Sequence, residues 1–114
     1  MENLDSALQY AAENHLNFIN SLNELLAIPS ISADLNGKSA MENAARWIEK
    51  SLQNNNFDVV KIYQTAGNPV VYGEKKTSKK NAPTILIYGH YDVQPVEPLG
   101  EWESEPFTGV IRGD

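Results

Sequence analysis

The chain has 114 residues, 41% of them hydrophobic and 21% charged, with a formal net charge of −6 and no cysteine. These values fit one ordered domain and exclude a disulfide framework, a thiolate metal site and a binder of phosphate backbones, which needs clustered Lys and Arg. No apolar run approaches the ~18 residues of a membrane-spanning helix, and the acidic opening Met1-Glu2-Asn3-Leu4-Asp5 lacks the basic-then-apolar order of a secretory signal, so no nucleic acid or membrane partner is expected and the compartment predicted is the cytoplasm.

From Leu8 the apolar residues fall at Leu8, Ala11, Ala12, Leu16, Ile19, Leu22, Leu25 and Leu26, in steps of three and four that predict one helix ended by Pro29. A loop over 28–38 follows, after which Ser39 reads as an N-cap with Glu42 three residues on, the spacing of a capping box. The second helix then buries Met41, Ala44, Ala45, Ile48 and Leu52 and stops at Asn54-Asn55-Asn56, since Asn tolerates left-handed backbone. Two β-rich runs, 57–64 and 70–73, flank the turn Thr65-Ala66-Gly67-Asn68-Pro69 and predict an antiparallel pair. The lysines of Lys75-Lys76-Thr77-Ser78-Lys79-Lys80 belong to a solvated loop. Thr84-Ile85-Leu86-Ile87-Tyr88 is the continuous apolar run of a central strand covered on both faces, Pro95 to Pro106 reads as a loop, and Phe107 to Ile111 as a last strand.

The central run ends at Gly89 and delivers His90 and Asp92 to the carboxyl end of the strand, where ligands gather in open α/β sheets. A neutral imidazole ligates zinc through one nitrogen when the other donates to an acceptor that fixes its tautomer. Residues two apart on an extended segment share a side, so Asp92 is placed either to orient His90 or to reach the group that His90 binds. A surface histidine beside a capping aspartate has the same spacing.

Other residues read as structural. His15 is an interfacial helix residue; Asp34 and Glu42 belong to a loop and a cap; Trp102 and Phe107 cover the proline-bearing loop or line a cleft; Tyr88 and Tyr91 are packing groups. Arg112-Gly113-Asp114 reads as a turn.

Three ordered blocks widen the context: Leu25-Leu26-Ala27-Ile28-Pro29-Ser30-Ile31-Ser32, Gly89-His90-Tyr91-Asp92-Val93-Gln94-Pro95, and Trp102-Glu103-Ser104-Glu105-Pro106-Phe107. In this order they resemble the N-terminal catalytic segment of the M20 family of zinc peptidases, in particular its carnosinase-like dipeptidase branch. The resemblance covers nearly the whole chain and implies an α/β fold, part of a zinc-peptidase-like catalytic domain in which two N-terminal helices pack on a mixed β-sheet. Residues 1–114 would then be the opening part of one such domain.

The resemblance also implies that His90 ligates one metal of a two-zinc centre and that Asp92 is the catalytic-site aspartate orienting it. The parent activity would be hydrolysis of dipeptides or similar small amides, with N-acyl amino acid deacylation as the alternative chemistry. The zinc-bridging aspartate, the Glu-Glu pair and the remaining ligands of that centre have no counterpart here. The chain by itself is therefore expected to bind zinc weakly and to lack activity, and an uncovered sheet edge would favour self-association. A non-enzymatic peptide-binding or regulatory module, or an enzyme completed by a partner chain, are the other readings.

Overall fold

The computed structural model describes residues 2–113 and is of the α/β class: α1 (Glu2–Glu13), α2 (His15–Leu26), α3 (Lys38–Asn54), β1 (Val59–Tyr63), β2 (Val70–Glu74) and a 3-10 turn at Leu99–Glu101. Asp114, read above as a turn residue, lies outside the described residues. No helix among them is long and apolar enough to cross a membrane.

The core lies where α3 meets the strand pair. Met41, Ala44 and Ala45 are buried on one face of α3 as their spacing requires, with Ala44 fully so, and Ile48 and Leu52 half-buried further along the same stripe. Small side chains at 44 and 45 let the helix lie close to its neighbours. β1 and β2 pair antiparallel, Val59 opposite Glu74 and Tyr63 opposite Val70, as expected from the two β-rich runs. Gly73 has a packing role: a Cβ there would lie 2.9 Å from Leu52 Cδ1 and 3.0 Å from Phe57 Cδ1, so its bare backbone makes room for both apolar groups. The α3–β1 turn uses Asn56 at φ 56°, the left-handed conformation expected of the asparagine run. Lys75 Nζ donates to the Asn56 carbonyl, and the Lys76 backbone N–H donates to Asp58 Oδ2 at 2.6 Å, so the lysine-bearing loop fastens that turn.

Five expectations need correction. The first predicted helix is two, broken at Asn14 (φ −107°, ψ 8°), where polar side chains compete with the helical ladder: the Asn14 amide donates to the Tyr10 carbonyl and His15 Nδ1 to the Ala12 carbonyl, both at 3.0 Å. Ser39 is not the N-cap. α3 begins at Lys38 with Gly37 in that position and no side-chain cap, because the turns closed by Asp34 N–H to Ile31 C=O and Gly37 N–H to Asp34 C=O run straight into the helix.

Thr84 to Tyr88 form no strand. Ile85, Leu86, Ile87 and Tyr88 are between 81% and 90% exposed, and no ladder partner is present among the described residues. β-propensity makes a segment fit for a sheet but does not supply the neighbouring strand. Nor does 107–111 form one: Phe107 and Gly109 have φ of 64° and 56°, which turns the chain back, and a Cβ on Gly109 would lie 2.5 Å from Asn23 Oδ1 of α2. The sheet among the described residues is accordingly an antiparallel pair rather than mixed, its parallel element reduced to a single bridge between Ile31 and Val93.

Because the core is narrow, its small residues should be intolerant of added volume. Ala44→Leu should destabilise the fold by about 1–3 kcal/mol through overpacking, whereas Leu8→Ala, on an exposed face of α1, should stay within about 0.5 kcal/mol. Urea unfolding monitored by circular dichroism measures both, and equal effects would contradict this placement of the core.

Candidate functional site

The site is built by two short segments remote in sequence. Ser30, nearly fully buried, donates its hydroxyl to the Tyr91 carbonyl at 2.7 Å, and its own carbonyl accepts the Val93 N–H at 2.9 Å. The bridge between Ile31 and Val93 continues this pairing. Two residues beyond Ser30, Ser32 Oγ donates to Asp92 Oδ2 at 2.6 Å. The serine-bearing loop between α2 and α3 thus holds residues 91–93 by both backbone and side chain.

Side chains along 90–92 separate by function. Tyr91 turns inward, and its phenol donates to the carbonyl of Pro69, itself buried in the turn before β2. Burial, and after it the Asp92 charge, push the Tyr91 phenol above its usual range, so it remains a neutral donor. His90 and Asp92 stay toward solvent and toward each other. His90 Nδ1 lies 3.1 Å from Asp92 Oδ1 and 3.0 Å from the Asp92 carbonyl oxygen. Both neighbours are acceptors, so Nδ1 carries a proton, and in the neutral ring the lone pair then sits on Nε2.

The ring is 77% exposed. The Ser32 hydroxyl is the main influence on the Asp92 carboxyl and lowers its pKa below the usual 3.8, with the His90 ring adding to it against partial desolvation. A lowered value means that the folded chain favours the carboxylate, so this contribution to stability is complete above 3.8 and fades as pH falls through the lower folded value.

An open cleft of about 570 Å³ adjoins the pair. It is lined by Leu25, Met41 and Ile48, by Val70 and Val71 of β2, and by Ile87 to Asp92. A mainly apolar lining with a few polar groups is the composition of a small-molecule cleft, and this one is open.

The structure therefore brings His90 and Asp92 together as their spacing suggested. His15 bonds within its own helix turn and Asp34 accepts the Asn36 N–H at 2.8 Å, so neither joins them. Trp102 is half-exposed and closes the proline-bearing loop on itself by donating from its indole to the Val96 carbonyl at 2.7 Å. Sequence reasoning missed Ser30, Ser32 and Pro69 as parts of the site. The signal for the serines was their spacing of two, which matches that of His90 and Asp92.

Among the described residues no group of three or more His, Cys, Asp or Glu could hold a metal ion. What they offer is one imidazole with a free Nε2 and a carboxylate that fixes its tautomer. Those are the chemical parts of a single ligand and its support, and a closed site needs three or four.

The chain matches no family model. It is 30% identical over 105 residues to the Cys-Gly metallodipeptidase DUG1 of Saccharomyces cerevisiae, an alignment covering 82% of this chain and 22% of that protein. Against the succinyl-diaminopimelate desuccinylase of Stenotrophomonas maltophilia identity is 34% over 92 residues, covering 78% of this chain and 21% of the relative. In three dimensions it is similar to the solved structure of the di-peptidase Dug1p from Saccharomyces cerevisiae, with a TM-score of 0.82, 28% identity and coverage of 92% of this chain and 24% of that one. The chain spans about a fifth of the length of these curated relatives. By sequence and by fold it is thus a homologue, over one segment of their length, of the metallodipeptidases and their desuccinylase relatives, the group that the M20 resemblance indicates.

Proposed function

We propose that this chain carries one corner of a zinc-dependent dipeptidase site, with His90 as a metal ligand through Nε2 and Asp92 as the aspartate that orients it. The observation that carries the reading is the His90 Nδ1–H held by Asp92, both of which line an apolar cleft, in a chain homologous to metallodipeptidases. A pair of zinc ions bound at a completed site would supply the Lewis acidity that ionises a water for attack on a peptide carbonyl. In this chain His90 presents its lone pair, Asp92 keeps the proton on Nδ1, and Ser30 and Tyr91 fix the backbone between them. The substrate we propose for the completed site is a small dipeptide, of the Cys-Gly kind that the yeast relative's name specifies. N-acyl amino acid deacylation is the second reading, favoured by the desuccinylase relative.

With one ligand present, zinc affinity of the chain alone should be weak and dipeptide hydrolysis absent. Zinc added to the isotope-labelled chain should shift the His90 ring signals selectively, and His90→Ala should remove the response. Equal perturbation of His15, or turnover of Cys-Gly by the chain alone, would contradict the assignment. In the encoding gene, a zinc-bridging aspartate and a Glu-Glu pair beyond codon 114 would support the dipeptidase reading. A stop codon there would favour the binding-module reading.

The reading also includes self-association of this chain. Ile85 to Tyr88 present apolar side chains and unpaired backbone together, a combination that pairs readily with a like segment of a second copy. Leu86→Lys should lower the mass seen by light scattering at high concentration. A wild-type mass equal to that of one chain at every concentration would sink this part.

A further inference from the structure

We propose that Ser32 is a positioning residue for the site: its hydroxyl holds Asp92 Oδ2 so that Oδ1 is presented to the His90 ring and the ring's free nitrogen faces outward. This deepens the reading of His90 as a metal ligand and rests on it for its functional consequence. Three distances carry the argument. Ser32 Oγ lies 2.6 Å from Asp92 Oδ2, while Asp92 Oδ1 lies 3.1 Å from His90 Nδ1, so each carboxylate oxygen has its own donor and the group is held at both ends. The Asp92 carbonyl oxygen, 3.0 Å from the same nitrogen, shares the donor.

An exposed aspartate on a loop ordinarily samples several side-chain rotamers. Here the short bond from Ser32 selects one, and a bond to an ionised acceptor is worth roughly twice a neutral one. Ser32 itself is placed by the neighbouring seam, since Ser30 is tied to Tyr91 and Val93 and Ser32 follows it by two residues. Ser30 therefore fixes backbone and Ser32 fixes the carboxylate. The division separates a residue needed for the fold from one whose loss leaves the fold intact and blurs the site.

The test uses the whole chain, free of metal, at a pH of about 8.5 where an ordinary imidazole is neutral. Couplings to the Asp92 β-protons report its χ1 rotamer, and long-range nitrogen–proton correlations report the His90 tautomer. Wild type and Ser32→Thr should both show one Asp92 rotamer and the Nδ1–H tautomer. Ser32→Ala should show averaged couplings and a larger share of the Nε2–H form, with the amide signals of Met41, Ala44 and Ala45 unmoved.

Should Ser32→Ala fail to fold, Ser32→Val serves, being the shape of the threonine variant without its hydroxyl. Wild-type couplings and tautomer retained in the variant lacking the hydroxyl would overturn the proposal. So would averaged couplings with an unmoved tautomer, for then the Asp92 carbonyl alone holds the ring. A wild-type ring in the Nε2–H form would overturn it without any variant. If zinc does not shift His90 but tautomer and rotamer follow the Ser32 hydroxyl, the metal reading fails and the positioning role stands.

Discussion

The arrangement depends on the seam between Ser30 and residues 91–93. Before Ser30 lie two helices joined by a one-residue break; after residue 93 the regular structure among the described residues is one 3-10 turn. The seam binds the second part to the first through one side-chain hydrogen bond across 61 residues, Ser30 to Tyr91, and one backbone hydrogen bond from Val93 to Ser30. Closing a flexible loop of that length costs about 3–4 kcal/mol by chain entropy alone, and the two seam hydrogen bonds with that from Ser32 to Asp92 return an amount of the same order. The seam by itself therefore yields little net stability. It becomes favourable once α3 and the β1–β2 pair, packed on Met41, Ala44 and Ala45, have drawn the ends together.

That order of dependence explains the character of the site. Its rigid parts face inward: Ser30 is buried, and the Tyr91 phenol reaches the turn before β2. The chemical parts, His90 and Asp92, lie in the open, where a polar pair avoids the desolvation that burial would impose. Asp92 keeps its charge because two donors face it, and His90 keeps its free nitrogen because Asp92 occupies the other.

How much of this was legible in the sequence follows from the range of each interaction. The buried stripe of α3 and the pairing of β1 with β2 are local patterns of period 3.6 and 2, and both were readable. The relation of His90 to Asp92 was readable for the same reason, the partners being two residues apart. Ser32 with Asp92 was not, since hydrogen bonding across 60 residues leaves no period in the chain. The run at 85–88 misled in the opposite direction: its composition states a preference for a sheet, while strand formation depends on partners that composition does not describe. At Asn14 and Gly37 the local signals were present but weaker than the apolar period and the Ser39–Glu42 spacing that overrode them.

Amide hydrogen exchange at Val93 tests the seam most directly, because its N–H has one acceptor, the carbonyl of Ser30. If the loop before α3 holds the His90–Asp92 segment, Val93 should exchange far more slowly than the unpaired Leu86 and should lose that protection together with the amides of α3 as urea is raised. Exchange at Val93 as fast as at Leu86 in the folded chain would contradict the account.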